Sequence, residues 1–250
     1  MITLHQLLRY IQELLHPENF KDYCINGLQV EGVKEIHSIA TGVTANLATI
    51  QAAVEKKVQV LLVHHGLFWD RDSYAITGPK KEKIKLLLDH GISLLAYHLP
   101  LDAHMTIGNN WKAALDMGWQ NLQPFGMYNG SPIGVKGTFP KISEEEFRLK
   151  LEKYYNHSAS CALGGKKHIE SAALVSGGAY RSIEEAIGNV DSFVTGNYDL
   201  PAWDLAMEGA VNFYALGHTA TERVGPRALG DQISAQFNIP HTFLEEANPF

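Results

Sequence analysis

Positive charge, cysteine and long apolar runs are all scarce in this chain. Its 21 Lys and Arg against 27 Asp and Glu leave a formal charge of -6. No general field therefore draws in phosphate backbones, and nonspecific duplex binding is a poor first expectation, although a local basic patch is compatible with the balance. The two cysteines, Cys24 and Cys161, stand far apart without a CxxC partner; they read as buried thiols and supply no disulfide framework. The longest apolar runs, near Gln59 to Val63 and Ile92 to Tyr97, fall far below the ~20 residues that span a bilayer. The N terminus lacks the basic segment and apolar stretch of a signal peptide. Instead Thr3-Leu4-His5-Gln6 has the capping-box pattern, followed by Leu7, Leu8, Ile11, Leu14 and Leu15 at helical spacing. A folded first helix and a soluble, cytoplasmic protein without membrane contact are expected.

What the chain does have is material for a core. With 250 residues, 45% hydrophobic and 19% charged, it can bury one large domain or two small ones without disulfides. Ile36 to Val43 and Val58 to Val63 are apolar and β-branched, and Leu47, Ile50, Ala53 and Val54 recur between them at helical spacing, the pattern of a strand–helix–strand unit. Lys81 to His90 reads as a further helix and Ile92 to Tyr97 as a third strand. The segment from Gln123 to Pro132 is rich in turn residues, Ile133 to Phe139 reads as a strand and Glu144 to Tyr155 as a helix. The second half then restates the first: Ile36 to Gly42, through Ile50 to Ala53 and Val58, resembles Ile169 to Gly177, through Ile183 to Ala186 and Val190. The expected fold is α/β (α+β), two similar, intertwined, three-layer-like lobes related by internal duplication with a metal site between them. Residues 1–125 would form a first lobe carrying His-His and Asp ligands, and residues 126–250 a second carrying a His-x-x-x-Glu pair.

The chemistry gathers where strands end. One apolar run stops at His64-His65; a second stops at His98, with Asp102 four residues on; a third stops at His218, with Glu222 four residues on. Open α/β sheets place their ligands outside the carboxyl ends of strands. Imidazoles with carboxylates suit Zn, Mn, Fe, Co or Ni better than Ca, which prefers oxygen alone. Side chains of adjacent strand residues point to opposite faces, so His64 and His65 reach one site only if the strand has ended there or if they serve different metals. Two divalent metal ions account for the pair most simply. Two carboxylates would offset two of their four charges, and hydrolysis is the default reaction class of such a centre. His5, His16, His37, His90, His104, His157, His168 and His241 are expected in solvent or in supporting roles. Gly177-Gly178 is compatible with an anion cradle or, more simply, a tight turn. Arg71, Lys80 and Lys81, or Arg223 and Arg227, could hold a polyphosphate or face solvent. Trp69 could stack a purine or pack against the sheet.

Several longer segments carry a family resemblance: Asn26 to Gly32, Val63-His-His-Gly-Leu-Phe-Trp69, Tyr97-His-Leu-Pro-Leu-Asp-Ala-His104 with Gly108-Asn-Asn110, and Gly217-His-Thr-Ala-Thr-Glu-Arg223. The chain resembles the NIF-three-like dinuclear metal proteins, commonly labelled GTP cyclohydrolase 1 type 2, over nearly its whole length. The resemblance implies paired α/β lobes, a toroidal homohexamer and a dinuclear centre facing its cavity. It places the metal ligands at His64, His65, Asp102, His218 and Glu222. His98 is left over, as an orienter or as a catalytic proton carrier. The family pattern often has an acid after Thr195-Gly196, where this chain has Asn197; a neutral amide cannot act as a general base, and Asp199 is the nearest substitute.

The leading expectation is a metal-dependent hydrolase of a small nucleotide-like molecule, opening the guanine ring of GTP with loss of formate if the family label holds. The alternatives are a metal-dependent phosphoesterase acting on damaged nucleotides or nucleic-acid ends, for which the acidic balance gives little support, and a non-enzymatic metal-binding scaffold.

Overall fold

The computed structural model describes residues 1–249. From the N terminus it runs β1 (Ile2–Thr3), α1 (Leu4–Leu15), β2 (Gly27–Val30), β3 (Glu35–Ile36), β4 (Ile39–Thr44), α2 (Leu47–Glu55), β5 (Val60–His65), α3 (Gly78–Asp89), β6 (Ser93–Ala96), α4 (Leu99–Ala103), α5 (Asn109–Asp116) and β7 (Gln120–Tyr128). It continues with β8 (Ser131–Ser143), α6 (Glu144–Tyr155), β9 (Ser160–Leu163), β10 (His168–Leu174), α7 (Ile183–Ala186), β11 (Ser192–Thr195), α8 (Pro201–Glu208), β12 (Asn212–Ala215), α9 (His218–Thr221), α10 (Val224–Phe237) and β13 (His241–Phe243). The fold is mixed α/β. Contacts divide the chain into a first unit, Met1–Leu101 with Gly225–Ala247, and a second, Asp102–Val224 with Asn248–Phe250. No helix among the described residues is long and apolar enough to cross a membrane.

The first unit is built on a five-stranded sheet in the order β13-β4-β5-β6-β2. Strands β13, β4, β5 and β6 are parallel, and β2 closes the edge antiparallel to β6. Ala40, Leu61, Val63 and Leu94 pack in one core with Ile50 and Leu87 from α2 and α3. Their alternates Ile39, Val60, Leu62 and Leu95 are buried as well, so both faces of the sheet are covered, as parallel sheets require. Thr3 and Gln6 form the expected capping box at the start of α1.

The second unit carries a six-stranded sheet, β7-β8-β10-β11-β12-β9. Ala172, Leu174, Val194 and Tyr214 pack on Phe147 and Leu151 of α6, while Ala173, Phe193 and Phe213 pack with Ile183 and Ala202. The period-two alternation thus feeds two cores from one set of strands. The turn-rich segment around Pro124 is a strand. It hairpins onto β8 through Asn129-Gly130, whose φ values of 47° and 91° form a two-residue turn between the paired Tyr128 and Ser131. Proline is tolerated because β7 is an edge strand.

The two units repeat one plan. Each has a capped helix, then an edge strand, then three parallel strands with helices between them, in the order β4-β5-β6-β2 and β10-β11-β12-β9. Thr3 caps α1 and Ser143 caps α6, and both helices end on left-handed residues, His16 and Asn156. The bridge Ile2↔Ile36 has its counterpart in Ile142↔Ile169. Ladder register equates Ile39, Val60 and Ser93 with Ala172, Ser192 and Asn212. Counting along from these, His64-His65 corresponds to Gly196-Asn197 and His98 to Gly217. The His-x-x-x-acid pair of the second half is therefore displaced by one residue from that of the first.

A buried carboxylate ties the entrance of the second sheet together. Asp191 accepts from Lys166 Nζ at 2.7 Å, Glu170 N at 3.0 Å and Ser171 Oγ at 3.1 Å. Burial would raise its pKa, but the Lys166 ammonium and these donors outweigh it and hold the carboxyl below its ordinary value. Asp191→Ala leaves part-buried donors without an acceptor and is expected to cost about 2 kcal/mol. Because the folded pKa is depressed, this contribution is complete above the unfolded carboxylate pKa of ~3.9 and is lost as pH falls through the folded value. Urea midpoints of wild type and variant should differ constantly above about pH 5 and converge in acid; an equal gap at all pH values would contradict the assignment.

Candidate metal centre

In the first unit the site begins where the β5–β6 ladder stops, with Val63 opposite Ala96. Past that point the chain carries His64, His65 and His98, whose donor atoms all lie within 4.8 Å of one another. This resolves the expected conflict between adjacent strand residues, because on the β6 side the ladder has already ended; His65 remains opposite Thr44 of β4. His64 is fully buried and its Nδ1 lies 3.1 Å from the Tyr97 carbonyl oxygen. That bond selects the Nδ1–H tautomer and puts the ring's lone pair on Nε2.

His98 is held by a residue the sequence did not single out. Asp22 Oδ1 lies 2.9 Å from His98 Nδ1 and accepts from Cys24 N at 3.0 Å, while Oδ2 accepts from Asn26 Nδ2 and from Leu99 N, both at 2.9 Å. Asn26 Oδ1 in turn accepts from His98 N at 2.8 Å. Burial by itself would raise the Asp22 carboxyl, yet the His98 imidazole, Asn26 and the Cys24 N–H bring it down to about 2. The neighbouring Cys24 thiol is pushed up to about 12 by burial, which removes it from thiolate chemistry. Trp69 is half-buried; it packs against Tyr23, His65 and His98 at ring distances of 5.5, 5.8 and 5.3 Å and donates its indole N–H to Gly66 O.

In the second unit Asp102 is buried, and its Oδ1 accepts from Asn109 Nδ2 at 2.9 Å and Ser176 Oγ at 3.0 Å. Asn110 braces the same corner, donating to Ile133 O at 2.7 Å and accepting from Ser176 N at 2.7 Å. His218 Nε2 lies 3.2 Å from Glu222 Oε1, with Glu222 buried. Gly177 adopts φ +66°, and a Cβ there would overlap Glu222 Oε1 and lie 3.1 Å from His218 Nε2. Its N–H donates to Thr221 Oγ1 at 3.0 Å, so Gly177 makes room for the carboxylate and offers no anion cradle. Asn197 donates its backbone N–H to Gly177 O, and Asp199 uses Oδ1 on Leu200 N at the start of α8.

The donors thus fit a divalent transition metal: oriented imidazoles and braced carboxylates, with the second ring nitrogen of a histidine committed to a carbonyl or carboxylate as metal sites require. The basic residues proposed for a polyphosphate are partly spoken for, since Arg227 pairs with Glu245 over the Phe243 ring and Lys80 donates to Ser73 O beside Phe68. His104 closes its own turn, accepting from Thr106 N and Ile107 N. Asp22, Ser176 and Thr221 were not singled out because the site groups they hold, His98, Asp102 and Gly177, lie 76, 74 and 44 residues away.

The family model described as Duf34/NIF3 (NGG1p interacting factor 3) matches residues 2–249. A GTP cyclohydrolase 1 type 2 homolog from Chlamydia trachomatis serovar D is 50% identical over 252 residues, covering 100% of both chains. A protein of the same description from Pseudomonas aeruginosa is 37% identical and covers 99% of each. The solved structure of protein ybgI, described as of unknown function, matches with a TM-score of 0.94 at 33% identity over 100% of both chains. A crystal structure of a Thermus thermophilus protein does so with 0.92 at 32%, again over 100% of both.

Gly177→Ala is expected to destabilise the fold by about 1–2 kcal/mol through its left-handed backbone alone, and to displace the Glu222 carboxylate. Chemical denaturation and a crystal structure of the variant test both effects; an unmoved Glu222 would refute the room-making role.

Proposed function

The chain belongs to the Duf34/NIF3 family, and we propose that it is a dinuclear metal-dependent hydrolase of a nucleotide-like small molecule, with His64, His65, Asp102, His218 and Glu222 as metal ligands. The observation that supports this reading is the bracing of the donors. A histidine or carboxylate needed only for packing gains little from having its ring tautomer or oxygen fixed, whereas a ligand must keep its lone pair aimed. A bound divalent pair supplies electrophilic activation of water and of the group under attack. The protein's part is positional. Asn109 and Ser176 keep Asp102 from rotating, Gly177 admits the Glu222 carboxylate, and the Tyr97 carbonyl orients His64. The two carboxylates offset part of the cationic charge while leaving the centre electrophilic.

The substrate in this reading is GTP, its guanine ring opened with release of formate; the description of the relatives as GTP cyclohydrolase 1 type 2 homologs supports it. The same reading includes a cytoplasmic toroidal homohexamer.

Purified wild-type protein is expected to hold about two metal ions per chain and to release formate from GTP, whereas His65→Ala and Glu222→Ala lose metal and activity together. Metal analysis and mass spectrometry of the products test this. Turnover of phosphoesters with GTP intact would replace ring opening by phosphoesterase chemistry, and metal-free wild type would overturn the hydrolase.

A further inference from the structure

We propose that a cleft at the N-terminal border of the first sheet is a second ligand site, built for a small, flat organic anion that carries a hydrogen-bond donor. This cleft is independent of the metal-centre reading. Strands β5 and β6 run toward the histidine cluster, and the cleft lies where the same strands begin.

The cleft has a volume of about 380 Å³, in the range of small-molecule sites. Its floor is apolar, with Val58 and Ile92 buried and Val54 half-buried, and its rim carries Glu35, His37, Lys57 and His90. Three observations within the first unit give this cleft a ligand. First, its walls are fixed. Gln59 Oε1 accepts from His37 N and Ser38 N, both at 3.0 Å, and Gln59 Nε2 donates to Lys57 O at 2.9 Å, so one amide holds the chain on two sides of the rim. Val33 N donates to Gly91 O at 2.9 Å, and Gly32 packs so closely there that a Cβ on it would fall 2.2 Å from the same oxygen. A ligand therefore meets a rim whose backbone is already ordered, which lowers the entropy lost on binding. Second, Lys57 adopts φ +54°, left-handed backbone just past the end of α2, where glycine is the ordinary residue. A side chain there strains the backbone, and strain of this kind clusters at ligand clamps. Third, the side chains of Glu35, His37, Lys57 and His90 make no hydrogen bond or ion pair with any described residue, whereas Lys85, Lys112 and His241 are paired with Asp89, Asp116 and Asp231. The Lys57 ammonium and the imidazole N–H groups are donors suited to a carboxylate or phosphate oxygen. Glu35 is an acceptor for a hydroxyl or amine on the ligand, and the apolar floor takes a flat body. A divalent cation fits poorly, because Lys57 repels it and no three rim donors among the described residues gather as closely as metal ligands do.

The test titrates the full chain, treated with chelator, with para-hydroxybenzoate and follows backbone amide shifts by NMR. Saturable shifts are expected at His37, Gln59 and Ile92, with a Kd of about 1 mM or tighter. The neutral para-hydroxybenzamide, which lacks the anion, and inorganic phosphate, which lacks the flat body, should each bind roughly 10-fold or more weakly. Phenyl phosphate, run in parallel, separates the two anion chemistries: whichever of it and para-hydroxybenzoate shifts these amides at lower concentration identifies the site as one for phosphate esters or for carboxylates. Lys57→Gly is expected to relieve the left-handed backbone, unfolding at the same or a higher urea concentration than wild type, while weakening para-hydroxybenzoate roughly 10-fold. A lysine that merely faces solvent would show the first effect without the second. Wild type without shifts at these amides, para-hydroxybenzamide that binds as tightly as para-hydroxybenzoate, or a folded Lys57→Gly that binds as wild type does, each overturns the anion site and leaves the metal-centre reading untouched.

Discussion

A sheet covered on both faces has little room for charged or metal-ligating side chains except where its strands stop, and this constraint shapes the candidate site. Within β5 the residues Val60 to Val63 are fully buried on alternating sides, so no imidazole could be introduced there without a hydrogen-bond partner in the core. The first position where the ladder to β6 releases the chain is His64. The same holds in the second unit, where Gly177, Gly196 and His218 follow the ends of β10, β11 and β12. At these C-terminal strand ends backbone groups, glycines and candidate ligating side chains meet at close quarters.

Clustering donors at such a border creates its own difficulty, because imidazoles and carboxylates brought together out of water need fixed partners. The chain meets this with residues drawn from far along the sequence. Asp22 and Asn26 come from the loop before β2 to hold His98; Asn109 and Asn110 come from the first turn of α5 to hold Asp102 and Ser176. The Asn26 and Asn110 amides each satisfy two groups at once. Because the bracing residues are themselves locked by backbone contacts, donor orientation is inherited from the fold and does not depend on a bound ion to organise it.

This division explains what the sequence revealed. The α1 capping box was legible because Thr3 and Gln6 interact over three residues, and the β5 and β6 strands were legible because each is a short apolar run closed by histidine. The donors were visible for the same reason. The residues that position them were not, since a contact between Asp22 and His98 leaves no periodic trace. Strand β7 was obscured by Pro124 and Gly126, which read as turn formers yet fit an edge strand paired on one side only. The role of Gly177 was equally hidden, as a doublet of glycine does not say whose side chain needs the space.

The displaced ligand pair is the most informative product of the repeat. A sequence comparison naturally equates His98-x-x-x-Asp102 with His218-x-x-x-Glu222, but strand register equates His98 with Gly217. Gly217 adopts φ +87°, a backbone that L side chains rarely take, and a Cβ there would lie 2.8 Å from His157 Nε2. An imidazole at this position is therefore strained by its backbone, and His157 would have to shift to admit it. Moving the histidine one residue on places it at the start of α9, where His218 and Glu222 are separated by one helical turn and meet at 3.2 Å. In the first half the corresponding pair diverges, with His98 turned to Asp22 and Asp102 to Asn109 and Ser176. One plan, repeated with a one-residue shift, thus yields two chemically distinct donor sets: imidazoles gathered in the first unit, and an imidazole–carboxylate pair together with a braced carboxylate in the second.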